Sequence, residues 1–284
     1  MIIECRTDEG GRAYQQDAYG WVRLAGPDGR ERACCVLADG MGGVKGGGIA
    51  SRLAVSAILT SLYPRLLLDS QTNWRDPAFH ECAIGSAFDD SRALLSQAAN
   101  GSPMLTEMGT TVALTIHVGT TVIVAHCGDT RVYALDDTLE LVTADHSVAW
   151  GLVESEVVNA SEVRHVGTRS MLTRSLTVTG GEFDLQVLNG ATAAVYALAT
   201  DGLWELFDIP DLEEFLIPLK DQEDTDSIAD ALMAEAQARG PDDNLTFLLF
   251  IPARRTRPAT DRYPCLSRTP FFTPVDTEEE TNGT

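Results

Sequence analysis

The sequence predicts an α+β fold: antiparallel β-sheet packed in two layers, with helices on the outside. Three observations lead there. Segments rich in β-branched residues arrive as consecutive hairpins, the long amphipathic segments arrive in blocks and do not alternate with strands, and 44% of the 284 residues are hydrophobic. Hairpins give antiparallel neighbours, a βαβ alternation is missing, and the apolar content supports a sizeable core and excludes wholesale disorder.

The elements follow in order. Residues 18–25 and 32–38 read as strands joined by the turn-forming cluster Gly26-Pro27-Asp28-Gly29. Ile49, Leu53, Ile58, Leu62 and Leu66 recur at helical spacing and predict a helix over 48–69. A second helix is expected over 77–98, with Asp76 as N-cap and Pro77 at its first position. Two hairpins come next, 110–118 with 120–126 around Gly119, and 131–135 with 140–143 around Asp136-Asp137. Residues 145–180 read as short helices and loops. Strands at 183–188, 194–200 and 245–251, and a helix at 226–239 stopped by Gly240-Pro241, complete the set. Residues 1–251 are read as one domain. Residues 252–284, with Pro258, Pro264, Pro270 and Pro274 and no apolar period, are read as a flexible C-terminal tail.

The net charge is −21, from 21 Lys+Arg against 42 Asp+Glu. Nucleic acid and anionic membrane are therefore poor partners, since both need a positive surface field. A phosphate-bearing substrate stays open, because a bound divalent cation reverses the sign of an acidic site. Residues 201–243 carry only Lys220 and Arg239 against a run of acids, most of them expected to be solvated surface. Cys5, Cys34, Cys35, Cys82, Cys127 and Cys265 are scattered, with no Cys-x-x-Cys. They read as small buried residues in a reducing compartment, and with no signal-like or membrane-spanning stretch the expected location is cytoplasmic.

Three aspartates end apolar runs beside turn residues: Asp39 after Cys34–Ala38 and before Gly40-Met41-Gly42-Gly43, Asp201 after Val195–Thr200 and before Gly202, and Asp243 within Gly240–Asn244 before Leu245. Any one of them could be a turn cap. Three carboxylates converging from strand ends would repel one another unless a cation sat between them. Oxygen-only ligands suit Mg²⁺ or Mn²⁺, not zinc.

The chain resembles the metal-dependent serine/threonine protein phosphatases of type 2C, particularly compact bacterial members. The resemblance spans about residues 1–251 and rests on ordered segments. These are Arg12–Asp17, Ala38-Asp39-Gly40-Met41-Gly42-Gly43, Gly109-Thr110-Thr111, Gly128-Asp129-Thr130-Arg131-Val132-Tyr133, Asp145-His146-Ser147, Leu172–Leu176, Thr200-Asp201-Gly202-Leu203-Trp204-Glu205 and Asp243-Asn244-Leu245-Thr246. It implies two packed antiparallel sheets flanked by helix pairs, an α-β-β-α sandwich. It also implies that Asp39, Asp201, Asp243 and the Gly40 carbonyl hold a pair of Mn²⁺ or Mg²⁺ ions, with Asp17 in support. Asp129 would help hold a weaker third ion, and Arg12 would grip the phosphate. Residues 147–172 take the place of the flap beside the active site.

The implied activity is hydrolysis of phosphoserine and phosphothreonine in proteins by a metal-bridged hydroxide, opposing a serine/threonine kinase in the same cell. Two cations would lower the pKa of a bridging water and offset the negative charge of the phosphate, while Arg12 offers forked hydrogen bonds to its oxygens. A cysteine nucleophile is excluded by spacing, since Cys127 stands four residues before Arg131 where that chemistry needs five. The chain also departs from the family pattern. No histidine lies between Asp39 and His80, where a general acid is expected; Gln16 replaces a common Glu, and Gly48 stands where an acid is usual. Leaving-group protonation is left to a metal-bound water or to His146, a residue otherwise read as structural. The missing histidine also motivates a second reading, a phosphatase-like protein that binds phosphoprotein with little turnover. His80, His117, His126 and His165 show no ligand spacing with one another, and Met41 and Trp204 read as packing.

Overall fold

The computed structural model describes residues 1–252, apart from Gly42, residues 190–192 and residues 222–223. The expected tail therefore lies, beyond Pro252, outside the described residues.

The hairpins close into two antiparallel sheets. The first contains β1 (Ile2–Asp8), β7 (Arg131–Leu135), β8 (Leu139–Leu141), β11 (Val195–Ala199) and β12 (Leu245–Ile251), in the order β1-β12-β11-β7-β8. The second contains β2 (Asp17–Ala25), β3 (Glu31–Met41), β4 (Gly109–Thr110), β5 (Val112–Val118), β6 (Thr121–Cys127), β9 (Leu176–Thr177) and β10 (Asp184–Asn189). Its spine is the long strand β3, flanked by β2 and β5 and continued by β4 at its C-terminal end.

Among the described residues the α-helices are α1 (Gly43–Leu68), α2 (Pro77–Gly101), α3 (Val148–Glu154), α4 (Asp201–Trp204), α5 (Ile209–Leu216) and α6 (Thr225–Arg239). Three apolar layers hold the stack together. Ile58, Leu62, Leu66, Ile84 and Phe88 pack with Leu114, Ile116 and Ile123 outside the second sheet. Leu37, Val124, Leu198 and Phe250 fill the space between the sheets. Leu203, Leu212 and Leu232 pack with Phe247 and Leu249 outside the first. This is the α-β-β-α sandwich expected.

Asp76 caps α2 as expected, accepting from the Ala78 N–H at 3.0 Å with Pro77 at the first position. Several elements differ from expectation. Helix α1 begins at Gly43, not residue 48, because its glycines serve a close approach: a Cβ on Gly47 would stand 2.5 Å from the Gly40 carbonyl oxygen. Strand β1 and helix α5 were not expected. In β1, Arg6 bonds to Asp226 and Asp230 of α6 and Glu4 accepts from Thr225, so charged side chains occupy a face that would otherwise read as apolar. Cys34, Cys35 and Cys127 are buried as expected, but Cys82 is exposed on α2 and Cys5 only half-buried; Cys265 lies outside the described residues. No helix among the described residues is long and apolar enough to cross a membrane.

Candidate active site

The site forms where the ends of both sheets meet. Asp17 opens β2 and Asp39 lies near the end of β3, and the two are direct cross-strand partners. Like charges opposite each other on an antiparallel pair are destabilising unless compensated. The β3 backbone is held at this point by a threonine pair: the Thr111 hydroxyl accepts from the Asp39 N–H at 3.0 Å, and the Asp39 carbonyl accepts from the Thr110 hydroxyl and the Thr111 N–H at 2.8 Å each. Asp201 opens α4 directly after β11, Asp243 precedes β12, and Asp129 lies in the turn between β6 and β7. The first sheet therefore delivers Asp201 and Asp243, the second Asp17 and Asp39, and Asp129 comes from the connection between the two.

Burial and mutual repulsion dominate the electrostatics. Desolvation, followed by the charges of Asp201, Asp17, Asp129 and Asp243, pushes the Asp39 carboxyl well above its usual range. Desolvation, then the charges of Asp201 and Asp145, does the same to Asp129. Asp17 is raised to about 8, by burial first and then by Asp201 and Asp243, against the opposing pull of the Thr246 and Thr200 hydroxyls. Asp201 is raised to about 7, by burial, then Asp243 and Glu205. The Oδ1 atoms of both Asp17 and Asp201 are buried with no hydrogen-bond partner. Orphaned anionic oxygens of this kind are costly inside a protein. Arg12 reaches the group: its Nη2 donates to Asp243 Oδ2 at 2.6 Å while more than half of its side chain stays exposed.

A divalent cation fits this arrangement. The donors are hard carboxylate oxygens, two of them lack any other partner, and they share more negative charge than one exposed guanidinium offsets. The Gly40 carbonyl lies against Gly47 of α1.

A cavity of about 370 Å³ opens beside Asp201 and Asp243, lined also by Arg12, Arg164, Arg169 and Glu205. Arg164 and Arg169 come from the 147–172 segment expected to form the flap. Arg169 forks onto Glu205 at 2.5 and 3.0 Å, which ties that segment to the residue following α4. Sequence reasoning missed both arginines, because nothing in the local pattern distinguishes them from surface residues.

His126 and His146, without ligand spacing in sequence, stack with ring centroids 4.5 Å apart, and together with Asp184 their ligand atoms all lie within 4.8 Å. The group is already occupied by hydrogen bonds. His146 Nδ1 accepts from the Gly128 N–H, its Nε2 bonds Asp184, and His126 Nε2 bonds the Ala144 carbonyl. Arg174 forks onto Asp184 and, with His146, holds that carboxyl down at about 2. With both ring nitrogens engaged and the ring buried, His146 is a structural residue and not a free proton donor.

The protein phosphatase 2C family model matches residues 9–236, well over half of the chain. The chain belongs to the protein phosphatase 2C family. The matched stretch takes in Arg12, Asp17, Asp39, Asp129 and Asp201 but stops short of Asp243, which the hydrogen bond from Arg12 ties to the group. The serine/threonine phosphatase Stp of Listeria innocua is 28% identical over 257 residues, covering 88% of this chain and 95% of its own. PstP of Mycobacterium tuberculosis is 28% identical over 215 residues, 75% of this chain and 39% of its own. Among solved structures, the catalytic domain of PstP in complex with two manganese ions aligns at TM-score 0.69 and 26% identity, covering 87% of this chain and 96% of that one. Stp1 of Staphylococcus aureus aligns at TM-score 0.74 and 24% identity, over 88% and 94%, and bears on the fold. As a protein phosphatase 2C, the chain falls in the enzyme class read from its sequence, the protein serine/threonine phosphatases.

Proposed function

We propose that residues 1–251 form a catalytic domain that hydrolyses phosphoserine and phosphothreonine in proteins, using two divalent cations, Mn²⁺ or Mg²⁺. Asp39, Asp201 and Asp243 would hold the pair with the Gly40 carbonyl, Asp17 would support it, and Asp129 would contribute to a weaker third site. The observation that carries this reading is the pair of buried, unpartnered carboxylate oxygens on Asp17 and Asp201, within a group of mutually repelling aspartates beside the guanidinium of Arg12. The manganese-bound relative, with its two ions, supports the choice of metal.

Bound there, the cations would supply a water of lowered pKa and screen the approach of an anionic nucleophile to a phosphate dianion. The chain's own residues do the rest. Arg12, exposed at the cavity mouth, turns its guanidinium onto phosphate oxygens and stabilises the charge that grows on them. Asp243 anchors that guanidinium at the correct edge of the cavity. With His146 engaged at both nitrogens, the leaving alkoxide takes its proton from solvent in the cavity. The free cysteines among the described residues suit a reducing cytoplasm, and a serine/threonine kinase acting on the same proteins would be the opposing enzyme.

The test is hydrolysis of a phosphothreonine peptide with Mn²⁺, with and without chelator, by wild type and Asp201→Asn. Activity is expected only with metal, and only in wild type. Turnover that survives chelation, or that Asp201→Asn leaves intact, contradicts the proposal.

A further inference from the structure

Trp204 reads as packing in the sequence, and it is indeed buried. Its polar edge, however, is aimed. The indole Nε1 donates to the backbone carbonyl of Asp129 at 3.0 Å, across 75 positions of sequence. Trp204 closes the single turn of α4 that Asp201 opens. One side chain therefore ties the backbone segment carrying Asp201 to the peptide group of Asp129.

The ring is itself fixed. The Arg131 guanidinium sits 3.7 Å from its centroid, and Arg131 is forked onto the buried Asp145 at 2.9 and 2.7 Å. A cation over an indole face inside a protein is a strong orienting contact. The other bonds to this turn act on its neighbours. Gly128, at φ +112°, gives its N–H to His146, and Thr130 shares a hydroxyl hydrogen bond of 2.5 Å with Thr111. The Trp204 bond is the one that reaches the peptide group of Asp129 from the Asp201 segment.

A ring that merely filled space would not need an N–H directed at a backbone carbonyl beside a candidate ligand. We propose that Trp204 is a positioning residue: its indole N–H sets the placement of Asp129 relative to Asp201, and thereby the affinity of the weaker cation site. This rests on the reading of Asp129 as a ligand of that site.

Trp204→Phe keeps a ring beneath Arg131 and removes the N–H. Calorimetric Mn²⁺ titrations of wild type, Trp204→Phe and Asp129→Asn separate the possibilities. In Trp204→Phe the dissociation constant of the weaker site is expected to rise about fivefold, as for one lost hydrogen bond, with the tight sites unchanged. The melting temperature is expected to fall by no more than about 4 °C. Phosphopeptide kcat falls at fixed Mn²⁺ while KM holds. Weak-site affinity equal to wild type, or an equal weakening of every site together with a large loss of melting temperature, overturns the inference. If wild type shows no weaker site that Asp129→Asn abolishes, the reading of Asp129 fails and the inference fails with it.

Should Trp204→Phe not fold, the four indole N–H resonances of wild type provide the test, with Trp204 assigned by Trp→Phe replacements at Trp21, Trp74 and Trp150. The Trp204 resonance is expected to shift as Mg²⁺ fills the weaker site, and to stay still in Asp129→Asn. A resonance that does not respond in wild type overturns the inference.

Discussion

Arg12 donates from Nη2 to Asp243 Oδ2 at 2.6 Å and so joins two segments 231 positions apart in sequence, both of which line the cavity beside Asp201. The bond is half in solvent, so it adds about 1 kcal/mol or less to stability. Its value lies in where it leaves a guanidinium. Arg12→Ala is expected to lower kcat/KM on a phosphothreonine peptide about 100-fold, the scale of one lost charge-stabilising donor, with little change in melting temperature. Arg12→Lys should recover only part of that loss, because an ammonium cannot fork onto two phosphate oxygens. An Arg12→Ala enzyme with near wild-type kcat/KM would remove Arg12 from the chemistry.

Arg32 does a different kind of work. It is fully buried, and its Nη1 donates to the carbonyls of Leu66 and Asp69 at 2.9 and 2.5 Å, so a side chain of β3 satisfies the C-terminal end of α1. Those carbonyls have no helical partner of their own. Arg32→Met should cost about 2–4 kcal/mol in urea unfolding, through the orphaned carbonyls and the lost pairing with Asp28. Activity per folded molecule should not change. A loss of activity without a loss of stability would mean that Arg32 communicates with the site.

His117 gives the sandwich an acid limit. The imidazole is buried between the sheets, stacked on Phe250 at 3.6 Å and edge-on to Tyr196, with Nε2 against the Thr115 hydroxyl. Burial lowers its pKa to about 3. The unfolded chain, with an ordinary histidine near 6.5, binds the proton that the fold refuses, so stability falls as pH drops from about 6.5 toward 3, by up to about 1.4 kcal/mol per pH unit. His117→Phe should flatten that limb in urea titrations between pH 6.5 and 4.5, leaving the neutral limb as it was. An unchanged slope would assign the acid loss to other groups.

Much of this architecture is legible in the residues. The hairpins around Gly119 and Asp136-Asp137 and the Asp76-Pro77 helix start are local chemistry, and the structure keeps them. What stays hidden depends on partners distant in sequence. The charges of β1 are satisfied by α6, which erases its alternation. The α5 start does carry a signal, with Asp208 accepting from the Asp211 N–H and Pro210 in the first turn, but eight residues make a weak helical period. The aspartates were visible as carboxylates out of place beside turn residues. The indole bond from Trp204 to Asp129 and the stacking of His126 on His146 were not, because no local spacing encodes a meeting between separate turns.

The central claim is electrostatic: Asp17, Asp39, Asp201 and Asp243 would share one site in which divalent cations neutralise them. Calorimetric titration of metal-free protein with Mn²⁺, beside Asp39→Ala, tests it most directly. Wild type should bind two ions tightly, matching the pair in the manganese-bound relative, and Asp39→Ala should lose that binding while remaining folded. A wild type that takes up no Mn²⁺, or an Asp39→Ala that binds it equally well, would contradict the claim.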